Sequence, residues 1–94
     1  MLNPTHIILY DARSPGQNYA EIDDFLSDLP GAVRTLQSNW IVCWPGSTAS
    51  LRSAVATLFD ANDGVMVARV GEVMWYDPQM NAKMLAAGYD VIAA

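Results

Sequence analysis

The chain has 94 residues, of which 52% are hydrophobic and 16% are charged, and its formal net charge is −5. This length suits one compact domain spanning residues 1–94, which excludes multidomain enzymes and long repeat arrays. The five basic residues are scattered along the chain, so it lacks the clustered cations that broad capture of a nucleic-acid backbone requires.

The first half of the chain predicts the order β-α-β-β. Residues 5–10 are rich in β-branched and aromatic side chains, which is typical of a strand. Apolar residues then recur at helical spacing until Pro30-Gly31, so an amphipathic helix follows. Residues 32–37 and 39–44 predict two further strands. Because the Ser38-Asn39 link is too short for a crossover, these two strands form an antiparallel hairpin.

The second half of the chain predicts a helix, a strand and another helix. Ser47 or Thr48 caps the first of these helices, and residues 65–70 predict the fourth strand. Asp77-Pro78 is a strong start signal for the third helix, since Asp caps it and Pro suits its first position. Residues 89–94 predict a short added strand or a tail. The apolar residues expected on the third helix, and the glycine that ends it, are Met80, Met84, Leu85 and Gly88.

These elements predict an α+β fold of the ferredoxin-like type, with an antiparallel sheet, two helices on one face and a further C-terminal helix. Such a sheet has one open face, which in a monomer carries a polar residue at every second position. Both faces are apolar here, because Ile7 and Leu9 alternate with Ile8 and Tyr10 along the first strand. The open face therefore needs a cover.

We expect a second copy of the chain to cover this open face, since a self-complementary homodimer hides an apolar surface most simply. Tyr10, Trp40 and Trp44 are the large aromatic residues expected at that interface. Two alternatives stay open. These aromatic residues can pack in the core instead, and the third helix or the C-terminal tail can lie across the open face within one chain.

Asp11, at the exit of the first strand, is the candidate metal ligand. One carboxylate alone holds Mg²⁺ poorly, but a two-fold axis that brings two copies of Asp11 together supplies two converging carboxylates. A Mg²⁺ ion held there can polarise a phosphate and activate water. The structural alternative is that Asp11 accepts hydrogen bonds from backbone N–H groups of the loop that follows.

Three other features predict packing or partner contacts. His6 lacks the neighbours of a zinc site or a catalytic triad, which predicts a structural or surface role, and Cys43 lies between two Trp residues in a strand, which predicts a small buried hydrophobic side chain. The first helix carries an acidic face, which either contacts a basic partner or is simply solvated. The acidic residues of this helix are Glu21, Asp23, Asp24 and Asp28.

The cellular compartment is predicted from two features. A single cysteine excludes an intramolecular disulfide and fits a reducing environment. Residues 1–9 lack the charged start and long apolar core of a signal peptide, and no apolar run approaches the ~18 residues of a membrane span. We therefore expect a cytoplasmic protein with no membrane contact.

Three stretches of the sequence resemble a group of short bacterial and phage proteins known as SinR-like. The first is Tyr10-Asp11 with the Pro-Gly-Gln-Asn-Tyr run that ends at Tyr19. The second is the Leu-Gln-Ser-Asn-Trp-Ile-Val run of residues 36–42, and the third is the Asp-Ala-Asn-Asp run of residues 60–63 before a strand. Together these matches span residues 7–76.

The SinR-like group is similar to the small CRISPR adaptation subunit "Cas two" and to the VapD toxins. That resemblance implies a ferredoxin-like fold and a dimer. It also implies that Asp11 matches the proposed metal ligand of that family, paired across the dimer for phosphodiester cleavage. Ser38 matches a serine at the junction of the second and third strands. This chain differs from the CRISPR subunit in lacking its Arg-rich helix after the aspartate.

Three functions are compatible with these observations. The first is a dimeric interaction module of a bacterial or phage defence or mobile-element system, which binds a protein or a nucleic acid without catalysis. The second is a Mg²⁺-dependent endoribonuclease that uses paired Asp11, with Ser38 assisting in positioning. The third is an acidic phage-encoded decoy whose first helix contacts a basic partner.

Overall fold

A computed structural model describes residues 3–11, 19–36 and 38–89 of the chain. The predicted α+β class is confirmed, with a four-stranded antiparallel sheet and three helices. No helix in these ranges combines the length and the apolar character that crossing a membrane requires. Most of the predicted tail, residues 90–94, lies outside the described residues. In chain order the elements are β1 (His6–Asp11), α1 (Tyr19–Ser27), β2 (Val33–Arg34), β3 (Asn39–Val42), α2 (Thr48–Ala56), β4 (Gly64–Arg69) and α3 (Pro78–Ala86).

β2 is shorter than the strand predicted over residues 32–37. It ends at Arg34, and Thr35 and Asn39 close the hairpin in the same register: the backbone N–H of Thr35 donates to the carbonyl oxygen of Asn39, at 2.9 Å, and the Thr35 hydroxyl donates to the same oxygen. The chain reversal between β2 and β3 therefore begins at Thr35, three residues before the predicted Ser38-Asn39 link.

The strands lie in the order β2-β3-β1-β4, and each neighbouring pair is antiparallel. The register places Ile8 opposite Trp40 of β3 and Val67 of β4. Residues directly opposite one another share a face of the sheet. One face, here named the α1/α2 face, carries Ile8, Tyr10, Trp40 and Val42. The other, here named the α3 face, carries Ile7, Leu9, Val33 and Ile41.

α1 and α2 both pack on the α1/α2 face and build the main core. Ile22 and Leu26 of α1, and Leu51 and Val55 of α2, are each at most 1% exposed. Burying one such side chain contributes roughly 1.5–3 kcal/mol. Ser47 caps α2, because its side-chain oxygen accepts a backbone N–H of the first turn at 3.1 Å.

α3 begins and ends at the residues that the sequence predicted. The Asp77 side chain accepts the backbone N–H of Gln79 at 3.0 Å, and Pro78 occupies the first turn. Gly88 has φ 95°, a left-handed conformation that glycine adopts without strain. The backbone N–H groups of Gly88 and Tyr89 donate to the carbonyl oxygens of Leu85 and Met84, which closes the helix as a Schellman motif.

α3 covers part of the face that the sequence left open. Met80, Met84 and Tyr89 are buried against Val33 and Ile41. The segment that connects β4 to α3 adds Val73 and Trp75 to the same cluster. The chain's own C-terminal segment therefore covers the β2-β3 half of this face, which is the alternative to a homodimer that the sequence left open. A second copy is not needed to hide Val33 and Ile41.

His6 is fully buried and links β1 to α2. Its Nδ1 lies 2.8 Å from the Thr5 hydroxyl oxygen, and its Nε2 lies 3.0 Å from the Thr48 hydroxyl oxygen. Burial, and to a smaller extent the positive charge of Arg69, lower the pKa of His6. Both ring nitrogens have a hydroxyl partner, which agrees with the structural role predicted for this histidine.

Candidate functional site

The described residues form a cleft of about 400 Å³ at one end of the sheet. Tyr10 from β1, Tyr19 from the start of α1, Arg34 from β2 and Ser38 from the β2-β3 turn line it. The turn is held against β1, because the backbone N–H of Tyr10 donates to the Ser38 carbonyl oxygen at 3.3 Å. A cleft of this volume suits a small ligand or one protruding group of a larger partner.

Arg34 is the charged group of the cleft, and three neighbours hold it in place. Its Nη2 donates to Asp23 Oδ1 at 3.0 Å and to the Tyr10 hydroxyl oxygen at 3.3 Å. The Tyr10 hydroxyl in turn donates to the same Asp23 oxygen at 3.2 Å. The guanidinium carbon lies 5.6 Å from the centre of the Trp40 ring, within cation–π distance. The guanidinium is therefore fixed before any ligand arrives.

The electrostatic surroundings keep Arg34 charged. The hydrogen bond with Tyr10 raises its pKa most strongly, and the carboxylate of Asp23 raises it further, against a lowering effect of burial. All hydrogen bonds of Arg34 within the described residues use Nη2. Its Nε is buried without a hydrogen-bond partner, as is the indole Nε1 of Trp40. Donor capacity towards the cleft is therefore that of Nη1, which makes no hydrogen bond within the described residues, and the charge of Arg34 is partly balanced by Asp23.

Asp23 was predicted as one member of an acidic helix face, but the structure gives it a different role. Its carboxylate points to Arg34, and its side chain is 30% exposed. Glu21 and Asp24 are exposed on the same helix, and Asp28 is exposed directly after its last residue, Ser27. The acidic face proposed for a decoy therefore consists of these three residues, without Asp23.

Asp11 and Ser38, the two predicted catalytic residues, lie in different surroundings. Asp11 ends β1 opposite Gly64 of β4 and is exposed. Alternation along β1 directs the Asp11 side chain to the α3 face, away from Tyr10 and the cleft. Ser38 does line the cleft. The structure therefore brings Ser38, but not Asp11, to the site that Arg34 occupies.

Metal-binding geometry was tested over the described residues. Within residues 3–11, 19–36 and 38–89, no three His, Cys, Asp or Glu side chains lie close enough together to hold a metal ion. The predicted Mg²⁺ site needs a second Asp11 from another copy, so a single chain does not test it.

The three aromatic residues predicted at a dimer interface lie instead in or against the core. Tyr10 and Trp40 are 7% and 6% exposed, under α1 and α2. Trp44 packs against the same core, and its indole N–H donates to the Ser50 hydroxyl at 3.0 Å. Of the two roles weighed for these residues, core packing is the one that the structure shows. Tyr10 and Trp40 therefore have little surface to offer a second copy, whereas Trp44 is half-buried.

Sequence analysis missed Arg34 and Asp23 as a pair. They lie 11 positions apart, on a strand and on a helix. Asp23 follows the buried Ile22 directly, which places it at the border of the helix face that packs on the sheet. That border position was the only signal in the sequence, and it did not identify the partner.

Comparisons with protein-family models, with curated proteins and with solved structures found no match to this chain. The resemblance to SinR-like proteins therefore stays a prediction. So do the functions that it implies.

Proposed function

We propose that this protein is a small binding module that recognises a partner protein through the cleft, without catalysing a reaction. The observation that supports this proposal is the fixed position of Arg34, which Asp23, Tyr10 and Trp40 hold at the cleft. A donor that is already ordered loses little conformational entropy when it binds. The Nη1 group of Arg34, which makes no hydrogen bond within the described residues, and the Ser38 hydroxyl add further donor capacity.

The partner group that fits this cleft is rich in oxygen acceptors. A guanidinium binds carboxylates through paired hydrogen bonds, and hydroxyl groups such as that of Ser38 donate to the same oxygens. The rings of Tyr10 and Tyr19 provide apolar walls for the carbon atoms next to such a group. We propose that the partner presents an acidic side chain or a C-terminal carboxylate.

A protein partner fits the charge distribution better than a nucleic acid does. The net charge of −5 and the exposed carboxylates of Glu21, Asp24 and Asp28 repel a chain of phosphates. A single carboxylate on a protein that is otherwise basic meets less repulsion, because its surroundings attract the acidic surface. RNA is therefore the competing ligand in the experiment below.

We also propose that the fold is of the ferredoxin-like type and that the chain is related to SinR-like proteins. Support comes from the element order, the strand order β2-β3-β1-β4 and the packing of α1 and α2 on one face. The three stretches that carry the resemblance also converge in space. Tyr10 and Tyr19 from the first and Ser38 from the second line the cleft, and the ring of Phe59, next to the third, lies 5.5 Å from that of Tyr10. A role in a defence or mobile-element system belongs to the same proposal.

The test is an NMR titration of the ¹⁵N-labelled protein with three probes: N-acetylglutamate, its neutral analogue N-acetylglutaminamide, in which both carboxylates are amides, and a short RNA oligonucleotide. We expect saturable shifts of the Arg34, Ser38 and Tyr19 amide signals with N-acetylglutamate, and much weaker shifts with the neutral analogue. Arg34→Lys should reduce the shifts, because lysine keeps the charge but loses the planar pair of donors. Arg52→Gln, on the exposed side of α2, is the matched control and should change nothing.

The proposal fails if none of these signals moves with N-acetylglutamate at millimolar concentration. It also fails if the RNA produces the larger and saturable shifts, since a nucleic-acid ligand would then be the better account of the cleft.

A further inference from the structure

Within the part of the chain that the structure describes, one edge of the sheet carries backbone groups with no strand partner. β4 is the outermost strand in the order β2-β3-β1-β4, and its only described neighbour is β1. The backbone N–H of Val70 donates to the Thr5 carbonyl oxygen at 2.9 Å. This bond shows which residues of β4 direct their backbone groups towards β1. Because donors alternate along an antiparallel strand, Gly64, Met66 and Ala68 bond towards β1. The N–H and C=O groups of Val65, Val67 and Arg69 therefore point to the outer edge.

This edge has few of the features that prevent strand pairing. β4 has six residues in continuous register with β1, whereas β2 at the opposite edge has two. It contains no proline and no lysine, and its side chains are apolar except for Arg69 at its end. Met66, in the middle, is 59% exposed. A long apolar edge strand of this kind is a surface for pairing with another strand.

We propose that β4 pairs antiparallel with β4 of a second copy of this chain, about a two-fold axis that passes through Met66. In such a pair, each residue whose backbone groups point to the outer edge must lie opposite a residue of the second copy with the same orientation. This condition allows registers centred on Val65, Met66 or Val67. The register centred on Met66 places Arg69 opposite Asp63 of the second copy, twice by symmetry. The other two place Arg69 opposite Ala61 or Val65, which carry no charge.

Charge and exposure both select this register. Arg69 is exposed, and Asp63 directly precedes β4, where its carboxylate also accepts the backbone N–H of Asp60 at 2.9 Å. Opposite charges that face each other across strands stabilise the pairing. The same register sets the exposed Met66 against its own copy, so both side chains lose contact with water.

The pairing has a consequence for the cleft and for Asp11. The cleft lies at one end of the sheet and none of the described residues that line it belongs to β4, so the dimer presents two open clefts. Two copies of Asp11 would be separated by three strand spacings, about 14 Å, and by a further offset of about 13 Å along the strands, because each Asp11 lies opposite Gly64 and Gly64 faces Ala68 of the second copy; the total distance is about 20 Å. They cannot share one metal ion at that distance, so this dimer and the paired-Asp11 site exclude each other. The dimer does not depend on the function proposed for the cleft.

Cysteine cross-linking tests the register. In a Cys43→Ser background, Met66→Cys places two thiols across the axis with Cα atoms about 4.5 Å apart, which is within reach of a disulfide. We expect a covalent dimer on mild oxidation. Ala68→Cys, on the same strand and face, is the matched control, because its two copies are offset by four residues, about 13 Å. Equal cross-linking of both variants, or none of Met66→Cys, overturns the proposal.

Sedimentation equilibrium tests the edge and the charge pair. Val67→Pro removes an outward N–H without touching the bonds to β1 and should yield a monomer, while Val67→Thr should stay dimeric. Arg69→Asp should raise the dimer dissociation constant about tenfold, and adding Asp63→Arg should restore it. Circular dichroism measures the folded fraction of Val67→Pro. If this variant is partly unfolded, the Arg69→Asp variant and the Arg69→Asp/Asp63→Arg double variant still test the proposal. A wild-type protein that is monomeric at roughly 100 µM, about a hundred times a dissociation constant of 1 µM, overturns the proposal, and so does a charge swap without rescue.

Discussion

Arg34 depends on two neighbours that are remote in the sequence, Tyr10 and Asp23. The three polar groups bond one another in a closed arrangement, with Asp23 Oδ1 accepting from both of the others. The pair is partly exposed, with Arg34 at 40% and Asp23 at 30%, so solvent screens much of its Coulomb energy. Its importance lies in fixing the guanidinium at the cleft rather than in a large contribution to stability.

We expect Asp23→Asn to lower the free energy of unfolding by about 0.5–1 kcal/mol, because Nη2 and the Tyr10 hydroxyl lose a charged acceptor. Urea denaturation measures the change. Asp24→Asn, on the exposed side of the same helix, is the control and should lie within about 0.5 kcal/mol of wild type. Equal effects of the two substitutions would show that Asp23 contributes no more than general helix charge.

His6 makes stability depend on pH. Its pKa is lowered by burial and by Arg69, so the unfolded chain binds a proton more readily than the folded one. The stability contributed by neutral His6 is complete above the unfolded pKa of 6.5 and is lost as the pH falls from there towards the folded value. His6 is the only histidine, so its ring signals can be followed by NMR without ambiguity. We expect a titration midpoint below 6.5, and a midpoint above 6.5 would contradict this account.

At the scale of elements, α3 has the largest effect on the surface of the molecule. The sequence predicted its start at Asp77-Pro78, its end at Gly88 and an apolar face that contains Met80, Met84 and Leu85. The structure separates these three: the methionines are buried on the α3 face of the sheet, whereas Leu85 is 60% exposed. Helical spacing identifies which residues lie on one side of α3, but the shape of the sheet decides how many of them are buried against it.

We expect Met84→Ala to lower the free energy of unfolding by about 2–4 kcal/mol, since it leaves a cavity in the cluster where Met84 is buried with Val33 and Ile41. Leu85→Ala, one residue further along the same helix, is the matched control and should change stability by less than about 1 kcal/mol. Thermal and urea unfolding give both values. A loss of stability of similar size in the two variants would mean that α3 is not packed as described.

At the scale of the whole molecule, the apolar composition is largely accommodated within one chain. α1 and α2 cover one face of the sheet, and α3 with the segment before it covers the β2-β3 half of the other. What remains at the surface is concentrated in a few side chains. Within the described residues, the large exposed apolar residues are Tyr19, Leu36, Met66, Met74, Tyr76 and Leu85.

The endoribonuclease hypothesis is tested at this scale, because it requires an assembly. We expect the wild-type protein to show no Mg²⁺-dependent RNA cleavage that requires Asp11. The reason is that one exposed carboxylate on the α3 face is a weak Mg²⁺ ligand. Labelled RNA incubated with the wild type and with the Asp11→Asn variant measures this. Cleavage by the wild type that is lost in Asp11→Asn would replace the binding module with a metal-dependent nuclease.

The sequence alone determined the α+β class, the turn and cap positions of α3, and the apolar character of both faces of β1. These features are local, because side-chain alternation, helical spacing and capping residues act over a few positions. Tertiary structure decided which surface covers the α3 face and which residues meet at the cleft. Val33 lies more than 40 positions from Met80 and Met84, and Asp23 meets Arg34 only because α1 packs over the sheet beside β2. Burial of the apolar α3 face is favourable whichever surface covers it. Only the packing of the folded chain therefore decides that α3, and not a second copy, covers Val33 and Ile41.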